Sequence, residues 1–264
     1  MKKDNTWTGN RSFDDDNTNL SETAKIEPVL IVDTTNNVAF NLEKFIADRY
    51  YRIIDKIGSG GMGTVYKVCN TQLDRIAALK LLNIKGMQVK ENILRFQQEA
   101  KILASLKQKN PTLSIPEIYE YGSCQAGFYY IMQYIDGIPL NKLIEEKKVM
   151  ITDAIKLCID LSQILEIIHK NGIVHRAIKP ANIIISNDGK PWLVDFGITK
   201  QVIEEPEVES VPLTKAGYFI GTPNYMSPEQ AQGQACFSSD IYSLGAVLYE
   251  GITGEKAIQG TSQV

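Results

Sequence analysis

The run Gly58-Ser59-Gly60-Gly61-Met62-Gly63 sets glycines in G-x-G-x-x-G spacing between two β-patterned segments, and this narrows the possible folds most. Before it, Tyr51-Arg52-Ile53-Ile54-Asp55-Lys56-Ile57 alternates as a strand. After it, Thr64-Val65-Tyr66-Lys67-Val68 is β-branched and alternating. Glycine lets a backbone approach phosphate closely and turn its N–H groups toward it. The spacing alone also occurs in dinucleotide-binding folds and in plain turns. A dinucleotide loop, however, runs from strand into helix, whereas here a strand follows. The context predicts a strand-loop-strand flap over a nucleotide.

A third strand is predicted over Arg75 to Leu82, with Lys80 near its end, 17 residues beyond Gly63. A lone lysine on a strand is ordinarily a solvated edge residue. This one has a plausible partner in Glu99, on a helix predicted over Lys90 to Lys107 from apolar Ile93, Phe96, Ala100, Leu103 and Ala104. Ile118 to Tyr121 and Phe128 to Tyr134 read as two more strands, giving five strands and one helix. After Gly137 the pattern turns helical, with Leu140 to Glu146 and then Thr152 to Lys170, the latter with Thr152 as N-cap and Asn171-Gly172 at its end.

Ahead of this core, residues 1–25 are rich in Asp, Asn, Thr and Ser, and include Asp14-Asp15-Asp16. Such a segment buries too little apolar surface to offset its ordering entropy, so a disordered polar tail is expected. Residues 26–49 form an N-terminal extension with a strand-like run, Val29 to Val32, and a short helix, Leu42 to Arg49.

Charge and cysteine usage exclude several classes. There are 28 Lys+Arg against 31 Asp+Glu, a net charge of −3, which argues against a nucleic-acid binder. Four separated cysteines and only two histidines, His169 and His175, exclude a structural zinc site and a disulfide scaffold, and fit a reducing compartment. No segment reaches the roughly 18 apolar residues of a membrane span, and no apolar run follows Lys2 and Lys3 as a signal peptide requires. A cytoplasmic protein without nucleic-acid or membrane partners is expected.

Further motifs follow in order. His175-Arg176-Ala177-Ile178-Lys179-Pro180-Ala181-Asn182 is followed by Asp195-Phe196-Gly197, then by Gly221-Thr222-Pro223 through Ser227-Pro228-Glu229, and finally by Asp240-Ile241-Tyr242-Ser243-Leu244-Gly245. With the glycine loop, Lys80 and Glu99, the chain from residue 50 to 264 resembles a protein kinase, closest to bacterial Ser/Thr kinases of eukaryotic type.

The resemblance implies an α+β, two-lobed fold. Residues 50–136 would form a five-stranded antiparallel N-lobe with one helix, and 137–264 a mainly helical C-lobe that reads as incomplete. It further implies ATP and Mg²⁺ as cofactors and protein substrates that include the chain itself. Gly58, Gly60 and Gly63 would cover the phosphates, and Lys80, held by Glu99, would contact them. Val65 and Ala78 would roof the adenine, with Ile184 in the floor. Gln133-Tyr134-Ile135 would be the hinge, with Met132 guarding the pocket behind it. Asn182 and Asp195 would ligate the metal, Lys179 would neutralise the transferred phosphoryl group, and Thr222 would lie in the substrate-docking segment. Asp240 would hold the backbone of the His175 turn, while His169 and His175 read as structural.

Two departures bear on function. The family carries an aspartate base where this chain has Ala177, and a missing general base removes about 10²–10⁴-fold of rate. A single lost position in a full set suggests an inactivating Asp-to-Ala change in an active kinase. The alternative is a natural pseudokinase acting as a nucleotide-binding regulatory module. The second departure is that the family's partner for Glu229, an arginine from later helices, is missing before Val264. A truncated sequence is therefore expected, with Glu229 an unpartnered buried carboxylate. The acidic run Glu204 to Glu209 reads as a solvated loop or part of an activation segment, where phosphorylated Thr214 or Tyr218 would pair with Arg176.

Overall fold

A computed structural model of the chain describes residues 30–32, 39–60, 63–82, 89–196 and 223–258. The polar run 1–25, Gly61, Met62, Gly197, Glu204 to Glu209, Thr214, Tyr218, Gly221 and Thr222 lie outside them. The described residues form two compact units.

The first unit takes the chain up to Ile93, together with Ile118–Tyr134. It begins with strands β1 (Leu30–Val32) and β2 (Ala39–Asn41), which pair antiparallel, and helix α1 (Leu42–Ala47). Strands β3 (Tyr51–Gly60), β4 (Gly63–Asn70), β5 (Arg75–Leu82), β6 (Ile118–Cys124) and β7 (Gly127–Gln133) form an antiparallel sheet in the order β3-β4-β5-β7-β6.

Side chains alternate across a strand, so the register divides this sheet into two faces. Tyr66 opposes Leu79, and Leu79 opposes Ile131. With Ile53, Val68, Ala77, Leu81 and Tyr129 they form one buried apolar core. Helix α1 completes that core, because Leu42 and Ile46 are each 1% exposed within it. A six-residue helix cannot hold itself together in water, so packing maintains it. Asn41 caps it by accepting a bond from the Lys44 N–H at 3.0 Å. The Phe45 ring meets Tyr129 edge-on at 5.4 Å. The extension thus belongs to the core rather than trailing from it.

The second unit comprises Leu94–Glu117 and the chain from Ile135 onward. Helix α2 (Val89–Lys109) groups with it from Leu94 on. Lys107 Nζ donates to the Leu113 carbonyl at 2.7 Å, and Leu193 N–H donates to the Ser114 carbonyl at 3.0 Å.

Beyond Ile135 come β8 (Gly137–Pro139), α3 (Leu140–Glu145), α4 (Ile151–Lys170), β9 (Ile183–Ser186) and β10 (Pro191–Leu193), then α5 (Pro228–Ala231) and α6 (Phe237–Thr253). The three short strands form a sheet of order β10-β9-β8 that the sequence reading did not contain. Helix α4 buries Ala154, Leu161, Ile164, Leu165 and Ile168, an i, i+3, i+4 stripe. Its N-cap is Met150, so Thr152 lies inside the first turn instead of capping it. Helix α6 ends at Gly254 in the left-handed conformation, φ 74°, where glycine is favoured. Among the described residues no helix is long and apolar enough to cross a membrane.

Candidate active site

In the first unit, strand register gathers most of the expected nucleotide residues on the face opposite the apolar core. Val65 opposes Lys80, Lys67 opposes Ala78, and Ala78 opposes Met132, so all five alternate onto one side. Lys80 is only 5% exposed, with its ammonium 5.6 Å from the Tyr130 ring centroid. Gln133 ends β7 opposite Ala77, and Tyr134 follows. The glycines differ in what demands them. A Cβ on Gly63 would run into the Leu81 carbonyl oxygen, so close strand approach requires that glycine. A Cβ on Gly60 would meet nothing within 4 Å among the described residues, and one on Gly58 only Val65 at 3.9 Å. Neither is needed for packing, which fits backbone kept open for a ligand.

In the second unit, Asp240 on α6 is fully buried and organises the His175 turn. Its Oδ2 accepts from His175 N–H and its Oδ1 from Arg176 N–H, both at 2.8 Å. The same Oδ2 lies 2.8 Å from His169 Nε2, which makes His169 a bonded structural residue. Arg176 takes φ 64°, a strained left-handed geometry that these backbone bonds hold in place. The His175 ring packs 4.3 Å from Phe196, and its Nδ1 accepts from Ala177 N–H at 3.2 Å. Burial pushes the His175 pKa down to about 4, against opposing pulls from Asp240 and Asp195.

Asn182 joins the two loops expected to hold metal. It ends a 3-10 turn, Pro180–Asn182, and is 6% exposed. Its Nδ2 donates to the Ala177 carbonyl at 2.9 Å and, more distantly, to the Asp195 carbonyl at 3.5 Å. Val194 N–H returns a bond to the Asn182 carbonyl at 2.9 Å. With its nitrogen so engaged, Asn182 keeps Oδ1 clear of any hydrogen bond among the described residues. An amide oxygen and a carboxylate, as Asn182 and Asp195 carry, are hard donors of the kind Mg²⁺ takes, with its other ligands from phosphate and water. Among the described residues no cluster of three or more His, Cys, Asp or Glu could cage an ion alone.

Lys179 is half-buried and extended at the start of the 3-10 turn, and Ile184 opposes Trp192 across β9 and β10. Ile135 is 7% exposed and Glu99, on α2, 2%. Ala177 lies in the loop between Asp240's backbone bonds and Asn182, and its methyl side chain offers no acceptor.

The sequence reading missed Arg95. Its Nη1 and the Arg176 Nε are both buried without a hydrogen-bond partner among the described residues. Burial lowers the Arg176 pKa, Asp240 opposes that, and the Arg95 charge lowers it further. Arg95 lies one helical turn before Glu99, a spacing that could have flagged it.

The Glu229 expectation is corrected. Its side chain is half-exposed, and Ser239 Oγ donates to its Oε1 at 2.5 Å. Hydrogen bonds from Ser239 and then Ser227 hold its carboxyl below the usual range. A hydroxyl from α6 thus serves it, and it is not an unpartnered buried charge.

The protein kinase domain family model matches residues 51–264. The chain is 37% identical over 224 residues to a probable serine/threonine-protein kinase PknB of Lactococcus lactis, covering 84% of this chain and 34% of that protein. It is 36% identical over 225 residues to the serine/threonine-protein kinase PknB of Mycobacterium leprae, covering 83% and 35%. It is also 34% identical over 217 residues to the serine/threonine-protein kinase PknA of Mycobacterium tuberculosis, covering 80% and 48%. The chain therefore spans about a third to a half of the length of these relatives. Matched across more than three-quarters of its length, with the motifs placed as described, this chain belongs to the protein kinase domain family.

Proposed function

We propose that this chain is a Ser/Thr kinase domain that binds Mg·ATP in an intact site and transfers its γ-phosphoryl group slowly. The observation that carries this is Asn182. Its amide still bridges the Ala177 and Asp195 carbonyls, so the metal-facing oxygen is held although the base is absent. Residues 50–136 act as the nucleotide lobe and 137–264 as the substrate lobe. On the first unit Lys80 orients the phosphates under Gly58, Gly60 and Gly63, Val65 and Ala78 roof the base, and Gln133 and Tyr134 bond its edge behind Met132, while Glu99, Ile135 and Ile184 keep the roles that the family resemblance gives them. Mg²⁺, when bound at Asn182 and Asp195, neutralises phosphate charge. Lys179 stabilises charge on the transferred group, and Thr222 helps seat the hydroxyl-bearing peptide. No side chain at 177 accepts the hydroxyl proton, so about 3–5 kcal/mol of barrier lowering is missing.

Protein substrates include the chain itself. The buried, unpartnered nitrogens of Arg95 and Arg176 support phosphorylation of Thr214 or Tyr218 as the event that recruits them. The four cysteines with free thiols support a cytoplasmic setting. Ala177 also supports an alternative reading, a natural pseudokinase acting as a regulatory module that binds nucleotide without turnover.

Calorimetry with ATP, with and without Mg²⁺, tests the shared premise. Binding that weakens in Lys80→Ala and loses its metal dependence in Asp195→Ala is expected. No binding by the folded chain would overturn it.

A further inference from the structure

Lys67 lies two residues past Val65 on β4, on the sheet face that carries Val65, Ala78, Lys80 and Met132. Its ammonium rests 4.5 Å from the centroid of the Tyr134 ring. Both residues are half-buried, and Lys67 forms no ion pair among the described residues. A strand lysine ordinarily extends its head group into water. This one lies instead against an aromatic face, the geometry of a cation–π contact.

The register gives the contact a place. Lys67 opposes Ala78, Ala78 opposes Met132, and Tyr134 stands two residues beyond Met132. Lys67 and Tyr134 therefore meet across Ala78, the smallest side chain on that part of the face. Tyr134 follows the end of β7, so no ladder partner fixes its position. The Lys67 ammonium lies above its ring.

We propose that Lys67 is a positioning residue for the nucleotide base: by holding the Tyr134 ring across Ala78, it fixes the outer rim of the apolar roof, so that a purine is stopped in register with the backbone of Gln133 and Tyr134. The proposal rests on the nucleotide reading above. It gives Lys67 a role distinct from Lys80. Lys80 lies next to the glycine loop and acts on phosphate, whereas Lys67 acts through a ring and on the base alone.

The two roles separate with two ligands. Calorimetry compares ATP with inorganic tripolyphosphate, which has the charge but no base, on the unaltered chain and on Lys67→Met, Lys67→Arg, Tyr134→Leu and the Met/Leu double variant. Thermal melts first establish that each variant folds. Lys67→Met is expected to weaken ATP by about fivefold and leave tripolyphosphate unchanged, because only a cation–π contact is lost. Lys67→Arg keeps a cation over the ring and restores ATP affinity. The double variant loses no more than Tyr134→Leu alone. Unchanged ATP affinity in Lys67→Met overturns the proposal, as does equal weakening of both ligands, or failure of arginine to rescue. If the unaltered chain binds no ATP, the nucleotide reading falls and this proposal with it. ATP binding that is indifferent to Lys67 removes this proposal alone.

Discussion

Ser239 Oγ donates to Glu229 Oε1 at 2.5 Å, and the same oxygen accepts from Cys236 N–H at 3.1 Å. One fully buried hydroxyl thus fixes the start of α6 and holds the first turn of α5 against it. Ser239→Ala removes both bonds and is expected to lower the melting temperature more than Glu229→Gln, which keeps an acceptor oxygen. The sign with pH follows from a depressed carboxyl. This contribution is present above the ordinary carboxylate pKa, about 4.3, and is lost as pH falls through the lower folded value. Melting curves of both variants at neutral and acid pH provide the check.

Ala177→Asp is expected to raise autophosphorylation by roughly 10²-fold or more, since it supplies the missing proton acceptor. The modified residues should include Ser or Thr within Val202 to Thr222. Phosphosite mass spectrometry on both versions decides the matter. Equal incorporation defeats the base assignment, and none in either favours the regulatory module.

His175 is buried as the neutral ring, with a pKa near 4 against about 6.5 in an unfolded chain. The unfolded state therefore binds more protons below pH 6.5, so stability falls as pH drops from about 6.5 to about 4. The loss is on the order of 3 kcal/mol when complete. Urea midpoints across that window should show the decline, and His175→Phe, which keeps a ring against Phe196, should flatten it.

Ile46→Ala tests whether α1 belongs to the folded core. The side chain is 1% exposed among the sheet's apolar residues, so removal should cost about 2–5 kcal/mol. Exposed Lys44→Ala on the same helix should change stability little. Similar denaturation midpoints for both variants would mean that the helix contributes nothing.

What the sequence revealed depended on periodicity. Strand β5 lies where Arg75 to Leu82 predicted it, as a short apolar run of strand length interrupted only by Lys80. The start of α4 was misplaced because Thr152 has the chemistry of a cap, whereas the chain there caps with Met150 and no side-chain bond. The small sheet escaped because Ile183-Ile184-Ile185 is apolar at every position and shows no period, and β8 and β10 are three residues each. Asp240's role was readable from its motif. Glu229's partner was not, since Ser239 lies ten residues away and a serine at a helix start announces only a cap. Arg95 reads as one more charge on an amphipathic helix, although one of its guanidinium nitrogens is buried.

Ala77, Leu79 and Leu81 point into the apolar core while Ala78, Lys80 and Leu82 point away from it, so β5 tolerates changes of letter but not of length. Deleting one residue from this strand would thrust the Lys80 ammonium among Tyr66, Val68 and Tyr129 and turn a leucine toward the ligand side. Divergence in such a strand proceeds by exchange within each parity class, and a frame of eight residues becomes the part of the inheritance that cannot drift.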